Sequence, residues 1–173
     1  MKTQKTINNK SFLLLILFLS TSLISLKTLK KVNVKDIKIS GSELFSQNDV
    51  VNNSSLKFPI RLIFIKTNFL EKELKQNLAL KNVSVNRQIF PFGLKVYVNT
   101  RIPIAYGERI VNNEKISGFI DKDGVFINKQ YAEERNLHSL TTKVFGWEEK
   151  FKKILSELLI AQDNYELEID KIT

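Results

Sequence analysis

From Phe12 to Leu26 the chain carries no charge and is dominated by Leu, Ile and Phe, with Lys10 and Lys27 at its two ends. A run that is apolar all round has no polar face to turn to water, so it predicts a helix seated in lipid rather than on a protein core. Fifteen residues at 1.5 Å each span roughly 22 Å, and extension to Ser11 and Leu29, with Lys27 snorkelling, nearly matches the ~30 Å hydrocarbon thickness. The lipid-facing side chains of this predicted anchor are Phe12, Leu13, Leu14, Leu15, Ile16, Leu17, Phe18, Leu19, Leu23, Ile24 and Leu26. A cleaved signal peptide has the same basic and apolar parts, and Ser20-Thr21-Ser22 supplies small residues for cleavage.

Beyond the anchor the pattern changes to short periodic segments. Asp36 to Ser40 alternates polar and apolar and meets Gly41, which predicts a short half-buried strand. Ser46 with Asp49 predicts a capped helix through Val51, and Asn68 with Glu71 predicts the cap of a second. Leu70, Leu74 and Leu78 recur every four residues and give that second helix one apolar stripe. Val83–Arg87 and Leu94–Val98 alternate with period two across a turn holding Pro91 and Gly93. The predicted order is strand, helix, helix, strand, strand, a small sheet burying one face against two helices. Downstream, Gly118–Ile120 and Val125–Ile127 flank Asp121-Lys122-Asp123-Gly124, a hairpin turn rather than a calcium loop, since the later loop ligands are missing. Trp147, Phe151, Ile154, Leu155 and Leu158 predict an amphipathic helix with its stripe in the core. Tyr165, Leu167 and Ile169 alternate with acids and predict a final strand. A strand so near Thr173 reads as part of a larger sheet, so the chain is expected to be incomplete at its C-terminal end.

Composition narrows the chemistry. Among 173 residues there is no cysteine and a single histidine, His138. Disulfides, thiolate metal sites and cysteine nucleophiles are excluded, and a histidine triad has one candidate. The formal net charge is +9. Lys2, Lys5, Lys10, Lys27, Lys30 and Lys31 cluster in the N-terminal segment, and setting them aside leaves +3 over the rest. A dispersed +3 without basic runs interleaved with aromatics is no nucleic-acid footprint. The flanking lysines are too evenly divided for the positive-inside rule to orient the anchor, but those after it lie where anionic head groups would attract them.

The order Val83-Ser84-Val85-Asn86-Arg87, Pro91, Leu94-Lys95-Val96, then Arg101-Ile102-Pro103-Ile104-Ala105, behind an N-terminal anchor, resembles the bacterial division protein family FtsQ/DivIB. Ile37–Gly41 is similar to the first strand of that family's POTRA domain, and Ile120–Phe126 to the hairpin opening its β domain. The resemblance implies an α+β fold: a cytoplasmic tail over 1–10, a transmembrane signal anchor over 11–29, a β-α-α-β-β POTRA domain over 34–106 and a partial β-rich domain with one amphipathic helix over 107–173. It implies a family motif of Arg101, Pro103, Ala105, Asp121 and Gly124, structural rather than contacting partners, and a possible partner edge at Tyr165, Leu167 and Ile169. The implied protein is a single-pass, non-enzymatic divisome scaffold in the bacterial inner membrane. Its body lies outside the cytoplasm at the septum and recruits FtsB/FtsL-type coiled-coil proteins, with membrane lipids as the other partner. No cofactor, small-molecule substrate or nucleic acid is implied.

Two other classes use the same residues differently. A POTRA-bearing accessory of protein transport or outer-membrane assembly would apply the same strand addition to unfolded substrates. A cell-wall hydrolase would need paired carboxylates from Asp121, Asp123, Glu108 and Glu114, and Asp121 and Asp123 are expected at an exposed turn tip that does not suit an acid catalyst.

Overall fold

The computed structural model describes residues 9–28, 31–133, 137, 140–165 and 169–173, and within the first helix the side chains of 10–22. His138, Leu167 and most of the predicted tail lie outside the described residues. The chain divides into two units, Met1–Lys31 and Val32–Thr173. In the first, α1 (Asn9–Thr28) is a 20-residue helix whose described apolar side chains, Phe12 to Leu19, are all exposed. The hydroxyls of Ser20 and Thr21 donate to the carbonyl of Leu17 at 2.9 and 3.0 Å, satisfying polar side chains within the helix itself. Leu23, Ile24 and Leu26 lie on the same helix. Among the described residues no helix is long and apolar enough to cross a membrane.

The second unit begins with the predicted β-α-α-β-β order. After the two-residue strand β1 (Lys31–Val32) come β2 (Ile37–Ser40), α2 (Gln47–Asn52), the two-residue β3 (Ile60–Arg61), α3 (Thr67–Asn77), β4 (Asn82–Gln88) and β5 (Gly93–Asn99). β5 is central, parallel to β2 and antiparallel to β4. The alternation works as expected, because Val85, Leu94, Val96 and Val98 face one buried layer with Leu70, Leu74 and Leu78 of the α3 segment. The Ser46–Asp49 capping box also forms, the Asp49 carboxylate accepting from the Ser46 amide at 2.8 Å.

The expected Asn68–Glu71 cap does not form. Helix α3 starts at Thr67 behind Lys66, and Glu71 instead accepts from the amide of Val85 at 2.7 Å. That amide lies on the outer strand of the sheet, so a carboxylate one turn along the neighbouring helix satisfies it better than a cap already met by backbone bonds.

The rest of the unit is a five-stranded sheet in the order β10-β9-β6-β7-β8, made of β6 (Pro103–Val111), β7 (Glu114–Asp121), β8 (Phe126–Asn128), β9 (Lys143–Val144) and β10 (Lys171–Ile172). Asn112 and Asn113, both at positive φ, close the β6–β7 hairpin as a two-residue turn. Helix α4 (Lys152–Asn164) buries Leu155 and Leu159 against Ala105, Ile120, Phe126 and Val144. Phe119, Ile127, Tyr131 and Ala132 belong instead to the core of the first sheet, which joins the two sheets into one unit.

Two expectations are corrected here. The predicted stripe of α4 is not wholly core: Trp147 precedes the helix, and Phe151, Ile154 and Leu158 are exposed, because the face toward the sheet is set by Leu155 and Leu159. The final strand also comes later than predicted. Tyr165 ends α4, its amide donating to the carbonyl of Ala161 at 3.0 Å, and the ladder runs from Asp170, whose carbonyl accepts from Lys143, to Ile172. Helical bonds thus claim the start of the segment whose side chains alternate.

Candidate functional site

Arg101 stands between β5 and β6 and turns its guanidinium toward the β7–β8 turn. Its Nη1 pairs with the carboxylates of both Asp121 and Asp123, the latter at 2.8 Å. Asp121 is only 3 % exposed, so the expectation of an exposed turn tip fails for it, while Asp123 remains half exposed. The register explains the burial, since Asp121 lies opposite Pro103 at the end of the β6–β7 ladder and not on the turn itself. The other Asp121 oxygen accepts from the amides of Asp123 (3.0 Å) and Val125 (2.8 Å), so one carboxylate shapes the turn and neutralises Arg101.

Gly124 completes the turn at φ +73°, and a Cβ there would meet the carbonyl of Lys152 at 2.2 Å. The Trp147 indole N–H donates to the Gly124 carbonyl at 2.9 Å, and the Ser156 hydroxyl to that of Lys122 at 2.8 Å. Four of the five predicted motif residues therefore meet around one turn: Arg101, Asp121 and Gly124 directly, and Pro103 through register. Ala105, fully buried in β6, packs under α4 instead. The arrangement locks a hairpin to a helix. Next to it a cleft of about 510 Å³ is lined by Lys75, Arg101, Arg109, Trp147 and Lys152, with the Arg109 guanidinium 4.4 Å from the centre of the Phe126 ring.

A second polar contact ties the two sheets together. The Tyr131 hydroxyl donates to Asp49 at 2.9 Å, and its ring stacks on Phe45 at 4.8 Å. Burial pushes the Asp49 carboxyl up, but hydrogen bonds from Ser46 and Tyr131 outweigh it and hold the group below its ordinary value of 3.8. Burial, and then the bond to Asp49, push the Tyr131 hydroxyl above 10.0. This contact was missed from sequence; Asp49 read only as part of a cap.

For recognition by strand addition the relevant groups are unpaired backbone edges. The five-stranded sheet ends in β8 on one side and β10 on the other, and the three-stranded sheet in β2 and β4. β4 is partly blocked by Glu71 on the Val85 amide. β10 stands at its edge with Lys171 Nζ 5.3 Å from the Phe145 ring centre. Of the residues expected there, Ile169 is half-buried just before the strand and Tyr165 is exposed at the end of α4.

Residues 32–101 match the FtsQ-type POTRA domain family, the stretch that carries the β-α-α-β-β order. A curated relative, the cell division protein DivIB of Clostridium acetobutylicum, is 27 % identical over 95 residues, 55 % of this chain and 36 % of the relative. The match thus spans about a third of that protein's length.

Proposed function

We propose that the chain is a member of the FtsQ/DivIB family, on the match of residues 32–101 and the DivIB relative, and that it acts in bacterial cell division as a membrane-tethered scaffold with no catalytic role. The observation that carries this reading is the FtsQ-type POTRA match starting at residue 32, directly behind the apolar helix α1. In this reading α1 is the anchor, the body lies outside the cytoplasm at the septum, and residues 34–106 and 107–173 divide the work of folding and partner capture. Tethering confines the body to the membrane plane and raises its effective concentration toward partners in the same membrane, FtsB/FtsL-type coiled-coil proteins. The β10 edge, with Ile169 and Ile172, offers main-chain hydrogen bonds to an incoming strand, and alternate side chains select it. Asp121 and Asp123 serve Arg101, and their role is to hold the hairpin.

Leu15→Arg with Leu17→Arg tests the tether. Each charge at a helix centre costs about 2.5 to 3.5 kcal/mol, so the variant should leave the membrane fraction on carbonate washing. Unchanged membrane recovery overturns the tether. Lys171→Glu tests the edge at the exposed position of β10: partner capture from membranes should fall with thermal stability retained, and equal loss of both would make β10 a packing strand only.

A further inference from the structure

We propose that the β4–β5 turn is a second membrane contact, an apolar tip that dips into the head-group layer of an anionic bilayer. This rests on the tether reading above and adds a site to it. Ile89 and Phe90, at the head of the turn, are 86 % and 95 % exposed, and Pro91 beside them is exposed as well. Two further large apolar side chains, Ile63 and Phe64, are exposed in the turn that precedes Ile65. Arg87, at the end of β4, donates through Nε and Nη2 to the Ile65 carbonyl at 3.0 and 2.7 Å, which brings the two turns to the same end of the sheet. Single exposed apolar residues are ordinary, but a group of them at one end of a domain marks a contact surface.

The position of that end selects lipid as the occupant. Leu94 pairs with Ile37 and Gly93 lies against Asp36, so the tip projects from the end of the sheet where β2 begins. That is where the chain enters the unit: Val32 stands four positions beyond Thr28, the last residue of α1. Four residues reach at most about 14 Å, so an embedded α1 keeps the entry point at the bilayer surface. The charges agree. Lys35 and Lys66 are exposed beside the two apolar turns, and in the sequence Lys27 stands near the end of α1 with Lys30 and Lys31 shortly after it. The Asp36 carboxylate, the acid nearest the entry, accepts from the Asn33 amide at 2.8 Å. Phe and Ile seated among lysines form the composition of an interfacial contact on anionic lipid.

The chain has no cysteine, so single-cysteine variants of the full protein take one dye each. Ile89→Cys and Leu15→Cys, carrying an environment-sensitive dye, are reconstituted in vesicles of phosphatidylcholine and phosphatidylglycerol. The expected result is that quenchers on the acyl chains remove most of the emission at both positions and aqueous iodide little. Adding Phe90→Asp to Ile89→Cys should return that dye to iodide, as should omitting phosphatidylglycerol in part. Lipid quenching at position 15 with iodide quenching at 89 overturns the tip contact and leaves the tether standing. Iodide quenching at both overturns both. Lipid quenching at 89 with iodide quenching at 15 keeps the tip contact and removes the tether. Shielding at 89 that follows protein concentration and not lipid content marks self-association and overturns the proposal.

Discussion

Around the three-stranded sheet, Ile37, Leu74, Leu94 and Val96 are fully buried, whereas the helix on the five-stranded sheet leaves Phe151, Ile154 and Leu158 between 42 % and 58 % exposed. The first sheet sets leucines from α3 against alternate residues of β4 and β5 in an apolar core that also takes in Phe119, Ile127, Tyr131 and Ala132. The second holds, among the described residues, a smaller cluster of six buried apolar residues together with a polar lock, Arg101 on Asp121 and Asp123, and keeps an apolar helix face open. Apolar burial needs only patterning, which is local, while a lock of paired charges needs distant residues in one geometry. The two halves should therefore fail in different ways.

The sharpest test is Arg101→Ala, which strands the buried Asp121 carboxylate and should cost about 3 to 5 kcal/mol in denaturant unfolding. A loss below about 1 kcal/mol, the range of exposed pairs, would show the lock to be a surface bridge and erase the contrast. Leu74→Ala leaves a cavity in the first sheet's core and should cost about 2 to 5 kcal/mol. Gly124→Ala forces a left-handed residue against the Lys152 carbonyl and should cost about 1 to 2 kcal/mol for the backbone conformation alone, with the clash added to it.

Asp49→Ala removes half of the capping box and should cost about 1 kcal/mol at neutral pH. The folded pKa of Asp49 is depressed, so its contribution is present above 3.8 and lost as pH falls through the lowered folded value. The gap between native protein and variant should close in acid; a gap independent of pH would assign the loss to packing. The smallest effect is expected at Leu158→Ser, within about 0.5 kcal/mol, as for a surface position. A loss as large as that of Leu74→Ala would mean that the second half closes its core after all.

Much of the first half was legible in the sequence. The four-residue leucine spacing and the period-two strands are local signals, and each needs only the correct face to be buried. The hairpin around Asp-Gly was legible too, whereas β6 and its turn into β7 were not predicted, although Asn112-Asn113 is a turn signal of the same kind. The lock was less so: Arg101 and Asp121 are 20 positions apart and meet only through the β6–β7 register. Nothing in the local pattern says that Asp121 is buried. Glu71 misled in the opposite sense, since its spacing from Asn68 suits a cap while its carboxylate serves a strand amide. For α4, five apolar residues on a wide stripe did not say which half of the stripe meets the sheet.

The bond from Tyr131 to Asp49 joins residues 82 positions apart. At about 5 to 20 residues per second on a ribosome, several seconds pass between the synthesis of the two. During that interval Phe45 has no ring to stack against, and the nascent first sheet must wait with one aromatic uncovered.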